Sequence, residues 1–385
     1  MKKTKKLNNK WIKAAVLGTI WAASEIVLGS FLHNIRFPFS GNILVGIAMI
    51  LLIAASHIWT EKGVIWRSGL ICAILKTMSP SAVIFGPMIA IFMESVLLES
   101  AVRLIKNKKI AFMVGAALAM SWNLFHKIIN MVLFYGVGIV QLYEKLLKSA
   151  QKQLHWNFDI VWVPLLTLLV IYIVLGILAA RMGIKTGEYL LDTNYKPSFS
   201  FENSNTTSTF IKHKTNQFDY SIVWLILNTI LSIGALVLHN YIPFKYWTIL
   251  VILIIVLWSF RYKRALRQVM KPKFWIWFIV ITMLTSLLFS KSEGLIIGVT
   301  MNLRAILLIL SFTVLGTELY NPRVKQYFAG AHFEQLSLAL ELSLASLPEA
   351  IANLPNVKTI LKEPTAVFYQ IIKQADLRLK NNETN

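Results

Sequence analysis

The apolar residues of this chain fall into separate blocks of about 20, the length that carries a helix across a bilayer, and this limits its fold more than any other feature. Inside lipid only a helix or a closed barrel satisfies its own backbone hydrogen bonds, and blocks this long and continuous fit helices. Composition agrees. The chain is 56% hydrophobic and 15% charged, with a mean hydropathy of +0.61, whereas a soluble domain is roughly a quarter charged. Ten blocks can be marked, at 11–32, 41–59, 63–80, 83–105, 110–136 and 159–181, then at 218–240, 246–260, 274–290 and 294–318. The expected fold is an all-α polytopic membrane protein of about ten transmembrane helices, arranged 6 + 4.

The break between the two groups is polar. Residues 187–217 contain LDTNYKPSFSFENSNTTST, rich in Ser, Thr and Asn, which has the composition of a linker. The expected division is a six-helix domain over 1–187, a linker over 188–217 and a second membrane domain over 218–385.

Charge placement orients the spans. Lys and Arg exceed Asp and Glu by 21, and most of them flank the apolar blocks. That pattern implies topology and lipid headgroup contact, and argues against nucleic acid as a partner. Lys2, Lys3, Lys5, Lys6 and Lys10 place the N-terminus inside. Alternation then puts the basic loops inside as well, those with Lys62 and Arg67, with Arg103 and Lys106, with Arg181 and Lys185, and with Arg261, Lys263, Arg264 and Arg267. Both termini are expected in the cytoplasm of a bacterial cell, with the protein in its inner membrane. The opening MKKTKKLNNK is followed by no A-x-A-like site, so it is not expected to be a cleaved signal. One basic loop falls outside: residues 139–158, with Lys145, Lys148 and Lys152, are expected to form an amphipathic helix on the outer surface.

Several polar residues interrupt the first six blocks. Glu25 lies in the outer half of the first, with His33 and Asn34 at its outer mouth, Asn42 opens the second, Lys76 lies in the outer half of the third and Glu94 is near the middle of the fourth. In the fifth, Asn123, His126 and Asn130 are spaced i, i+3, i+7, which puts them on one helical face beside Lys127. A charge at mid-membrane costs about 2.5–3.5 kcal/mol on insertion scales and normally faces protein or a cavity. Two readings stay open. Glu25 or Glu94 pairs with Lys76 as a structural bridge, or these groups line a pocket for a small solute, with Trp21, Phe85 and Trp122 as walls. Pro87 is expected to break the fourth span where a cavity is lined. Ala14, Gly18 and Ala22 form a small-xxx-small ladder on the first span, a pattern that lets helices approach closely and also serves ordinary packing.

The six-span unit with its ladder and outer pocket, and the segment LKTMSPSAVIFGPMIAIFMESVLLE, resemble the substrate-binding S component of energy-coupling factor (ECF) transporters. The second half is similar to their T component, the transmembrane coupling protein. The similarity lies in EGLIIGVTMNLRAILLILSFTVLGTELYNPRVKQYF, with Arg304 in its span, followed by FEQLSLALELSLASLPEAI, which closes near Pro348. The resemblance implies helix contact through Ala14, Gly18 and Ala22, coupling through Arg304, Pro348 and Arg378, and two ABC-type ATPase subunits as partners. It departs from the T pattern in lacking Ala-Arg-Gly-like triplets; QADLR, ending at Arg378, is the nearest piece. It also lacks a further span after the coupling helices.

Residues 333–354 space Leu336, Leu340, Leu344 and Leu347 at i, i+4, i+8, i+11, an amphipathic cytoplasmic helix. Such a helix can lie on the membrane, fill a partner groove or pack beneath the second domain. No P-loop, H-E-x-x-H or G-x-S-x-G motif occurs, so no catalytic residue, bound cofactor or ATP site is expected in this chain. Its single cysteine, Cys72, allows no internal disulfide and no Cys-based zinc site, and the seven His lack tight ligand spacing, so no metal is expected either. The functional expectation is a non-enzymatic subunit of an ECF-type importer that binds a vitamin or precursor through Glu25, His33, Asn42, Lys76, Glu94, Trp122, Asn123, His126 and Asn130. A membrane-embedded lipid-modifying enzyme, with Glu25, Glu94 and His126 as acid–base groups, and an ATPase-independent secondary transporter are the alternatives.

Overall fold

The computed structural model describes residues 7–35, 37, 39–76, 85–155, 161–195, 221–262, 272–289, 291–319, 333–355 and 357–384. Among these residues the chain is all-helical. The first seven helices are α1 (Asn9–Asn34), α2 (Ser40–Ile58), α3 (Val64–Lys76), α4 (Phe85–Leu104), α5 (Lys108–Tyr135), α6 (Gly138–Leu154) and α7 (Val163–Leu191). The remainder are α8 (Ile222–Leu238), α9 (Phe244–Arg261), α10 (Pro272–Leu288), α11 (Lys291–Leu319), α12 (Glu334–Ala352), α13 (Val357–Lys362) and α14 (Pro364–Thr384).

Six helices, α1, α2, α5, α7, α9 and α11, contain stretches long and apolar enough to cross a membrane. The other four expected spans fall short of that standard for different reasons. Helices α8 and α10 are apolar but only 17 residues long. Helix α3 has 13 described residues, and the rest of its expected span, together with the start of the next, lies at 77–84, outside the described residues. Helix α4 has 20 residues but carries Glu94, Glu99 and Arg103. The expected linker is also mostly outside the described residues, which stop at 195 and resume at 221.

Helices α1, α3, α4, α5, α7 and α2 form a ring in that order, and α2 also meets α5 across it. Small residues set the spacing. A Cβ on Gly18 would lie 2.8 Å from the Ser68 carbonyl oxygen of α3, and one on Gly176 would lie 2.6 Å from the Ala116 carbonyl oxygen of α5. The neighbour at Gly176 is backbone and cannot swing aside. Gly176→Val is therefore expected to destabilise by about 1–3 kcal/mol through overpacking, read as a lower melting temperature in detergent. An unchanged melting temperature would mean that α5 and α7 do not touch there.

Among the described residues the C-terminal helices pack on the first unit rather than on the second core. They join the core of the six-helix ring: Ala339 and Leu347 of α12, Ile360 of α13, and Val367, Phe368 and Ile372 of α14 belong to the same buried cluster as Leu17, Leu28 and Met49. Helix α12 lies along α1, where the Ser343 hydroxyl donates to the Ala15 carbonyl at 3.3 Å. Helix α14 lies along α7 and α2, and the Trp59 indole donates to Asp376 at 3.0 Å. The leucine stripe is corrected in one position. Ser343 and Leu347 are buried and Leu336 and Leu340 pack on the core, but Leu344 is 44% exposed. The buried row runs 336, 340, 343, 347, a closer match to 3.6 residues per turn. Pro348 lies inside α12, which continues past it to Ala352.

Helices α8, α9 and α11 build a second, smaller core around Trp247 and Trp258. Helix α10 lies against α11, where Cβ atoms on Gly294 and Gly298 would lie 2.8 Å from Ser286 and Thr282 backbone atoms. The two cores meet at the α5–α6 corner. Arg304 of α11 donates to the Leu133 carbonyl at 3.1 Å, which places a cation at the C-terminus of α5. Phe134 and Phe312 are edge to face at 5.8 Å. Helix α6 forms where an amphipathic helix is expected, with Leu142 buried and Lys145 over the Phe289 ring.

Candidate functional site

Because α1, α3 and α5 run opposite to α2, α4 and α7, one end of the ring gathers the C-termini of the first three and the N-termini of the others. The internal polar groups expected in a site lie toward that end. At the opposite end the polar contacts have structural partners. Glu99 receives the Gly63 and Trp66 backbone N–H groups at 2.5 and 3.2 Å, so its carboxylate caps the start of α3, and it also takes Arg103 at 2.7 Å. Gly63 has φ 97°, a conformation that favours glycine. Glu61 pairs with Lys13. Partial burial pushes its carboxyl up, but the Lys13 hydrogen bond and charge, with Lys10, outweigh this and hold it below its ordinary value.

Between α1, α3 and α4 lies the first polar cluster. Lys76, the last residue of α3, donates to the Glu25 carboxylate at 3.2 Å and to the Glu25 carbonyl at 3.0 Å. Both side chains are nearly buried, at 13% and 8% exposure. The sequence left open which acid pairs with Lys76, and the structure selects Glu25. Gly29 leaves room for the ammonium, since a Cβ there would lie 3.4 Å from Nζ. Glu94 is 3% exposed and makes no hydrogen bond or ion pair among the described residues. Its charge interacts with that of Glu25, and buried Cys72 is within electrostatic reach of Glu25, Lys76 and Glu94. Trp21 borders this cluster: its ring lies 3.4 Å from a Cβ position on Gly69, whose other neighbour there is Ser95, next to Glu94. The Trp21 indole N–H is buried and without an acceptor.

The second cluster lies between α2, α5 and α7. Asn123 donates to the Asn42 side-chain oxygen at 2.8 Å, and Lys127 donates to the same oxygen and to the Tyr172 hydroxyl, each at 3.1 Å. Lys127 also sits 5.5 Å from the Tyr172 ring centroid. His126 faces another way. It bonds Asn130 at 2.9 Å and lies near the Gly86 backbone of α4, and its ring is 6.1 Å from that of Trp122. The expected common face of Asn123, His126 and Asn130 is thus divided. Asn123 and Lys127 turn to α2 and α7, while His126 turns toward α4 and is bonded by Asn130 of its own helix. Residues i and i+3 are offset by about 60° around a helix, enough to serve different neighbours in a crowded ring. The α2–α5 contact runs between the two clusters, and the Asn42–Asn123 bond is part of it.

The remaining expected residues fall as follows. His33 is in the last turn of α1, but its side chain, like those of Phe85 and Arg378, is outside the described residues. Ala14 and Ala22 are fully buried, and Gly18 of the same ladder faces α3. The contact of α1 with α12 passes through Ala15. Arg304 lies at the junction of the two cores. Among the described residues no three His, Cys, Asp or Glu side chains converge as a metal site.

Two groups escaped the sequence reading. Tyr172 sits in an apolar run that gives no hint of its bond to Lys127. Glu318, near the end of a span, reads as an interfacial residue, yet it is fully buried. It accepts from the Tyr262 hydroxyl at 2.7 Å, from Arg261 at 3.4 Å and from the Ser221 backbone N–H at 3.0 Å. Asn228 extends the network to Tyr262 at 2.8 Å and to the Trp258 indole at 3.0 Å. The chain matches no family model, no curated protein and no solved structure.

Proposed function

We propose that this protein is the membrane subunit of an ECF-type ABC importer, with an S-like unit and a T-like unit on one chain. The six-helix ring takes a small micronutrient from outside a bacterial inner membrane. Separate ATPase subunits, acting from the cytoplasmic side, drive its release inward. One observation carries the reading: the buried polar clusters lie toward one end of the ring, and the amphipathic helices α12 and α14 pack at the other, against α1, α2 and α7. A solute entering at the first end and a nucleotide-driven push on α12 would act on the same helix, α1, which carries both Glu25 and Ala15. This physical link does not require the missing Ala-Arg-Gly-like triplets, since α12 and α14 already bear on the ring.

Native mass spectrometry of the tagged protein, purified gently from its own host, tests the proposal. Two P-loop ATPases and a bound small molecule are expected in the same spectrum. A protein that stays alone and empty, while ATPases abound in the lysate, would sink the importer reading and favour the enzyme or secondary-transporter alternatives.

A further inference from the structure

The charges around the ring do not balance, and the imbalance selects a ligand chemistry. Lys76 is held by Glu25, through both its carboxylate and its carbonyl. Lys127 is engaged by Asn42 and Tyr172 on the far side of the α2–α5 contact. Among the described residues Glu94 is left as a buried carboxyl group with no donor and no cation, and the nearby charge of Glu25 is of the sign it would itself carry. A buried carboxylate persists only with a proton or with a counter-charge. Trp21, which borders the same cluster, presents the complementary defect, a buried N–H with no acceptor. Buried polar side chains are nearly always satisfied, and an unpartnered carboxyl and an unpartnered N–H on two helices that both pack against α3 point to a missing third party. An indole ring is also a favourable neighbour for an ammonium group.

We infer that the space between α1, α3 and α4 takes an organic amine in its cationic form, with Glu94 as its counter-charge and an oxygen acceptor on the ligand meeting the Trp21 indole. The inference rests on the importer reading for the existence of a solute and deepens it by naming the solute's chemistry. Glu25 is not the ligand's partner in this arrangement; it holds Lys76 away from Glu94 and so keeps Glu94 available. An anionic solute is disfavoured here, because Lys76, the ammonium of this cluster, is already held by Glu25.

The test uses the purified full chain and three matched probes, 3-methoxypropylammonium, 3-methoxypropionate and 3-methoxypropionamide, each read by thermal unfolding. The ammonium probe is expected to raise the melting temperature by about 3 °C or more at saturating concentration, and the anionic and neutral probes to leave it unchanged. Glu94→Gln should abolish the shift. Without probe, its own melting temperature should be unchanged or higher, because a neutral amide replaces a buried carboxyl that has no partner among the described residues. Trp21→Phe should fold and show a smaller shift. The inference is overturned if the anion stabilises, if no probe does, if the ammonium shift survives in Glu94→Gln, or if Glu94→Gln fails to fold, which would mark Glu94 as a structural partner. An amine shift in a protein that captures no ATPases would sink only the importer reading. Captured ATPases with no amine shift would sink only this inference.

Discussion

Lys76→Met is expected to cost about 3–5 kcal/mol of stability, the usual penalty for removing one member of a buried ion pair. Lys76 and Glu25 are nearly buried, and the ammonium satisfies two acceptors of the same residue. Removing it leaves the buried Glu25 carboxylate without a donor among the described residues. The loss comes mostly from that stranded charge, since replacing both members of a buried pair by neutral groups is often close to neutral. Adding Glu25→Gln to Lys76→Met should therefore recover most of the lost stability. Melting temperatures of the wild type, both single variants and the double variant form a cycle whose coupling term isolates the pair. If the double variant is as unstable as Lys76→Met, the bridge is not what holds these helices and the lysine acts through packing alone.

The second large effect is expected in the smaller core. Glu318→Ala should cost about 3–5 kcal/mol, because three donors converge on one fully buried carboxylate. These donors come from the start of α8, the last residue of α9 and the residue after it, so Glu318 ties three helices together where the chain enters and leaves the unit. Glu318→Gln keeps an acceptor for Tyr262 or Ser221 but loses the attraction to Arg261, and should cost less, about 1–3 kcal/mol. Hydrogen exchange provides the local readout. Amides in the first turns of α8 should exchange faster in Glu318→Ala, while those of α2 and α5 keep their protection. Equal acceleration throughout would mean a general loss of packing rather than release of this tie.

Much of the architecture was visible in one dimension. Apolar blocks of bilayer length have one way to satisfy their backbone, so the helices fall close to where periodicity and hydropathy put them, and α6 and α12 form where amphipathic spacing asks for them. The polar residues of the first unit could be named for the same reason, since a charge inside an apolar block has no other ready explanation. Their partners could not be named. Glu25 and Glu94 are both acids within reach of Lys76 by depth alone, and only the parallel run of α1 and α3 brings Glu25 to it. Asn123 and His126 share a helix face on paper but are divided between α2 and α4 by the neighbours that happen to flank α5. Glu318 went unnoticed because its position at a span end has an ordinary explanation in water or headgroups, and the fold removes both.

What the sequence by itself determined, then, is the material: helices of membrane length, two groups of them, an amphipathic tail, and a short roll of polar groups too costly to leave in lipid. The tertiary structure decided the pairing. It joined the tail to the first unit, gave Lys76 to Glu25, separated Lys127 behind the α2–α5 contact and left Glu94 without a partner among the described residues. The physical reason is range. Backbone hydrogen bonding and hydropathy act over one or two turns and are written locally. A buried charge is neutralised by whichever residue the packing brings within a few ångströms, and in this chain that residue stands 51 positions away.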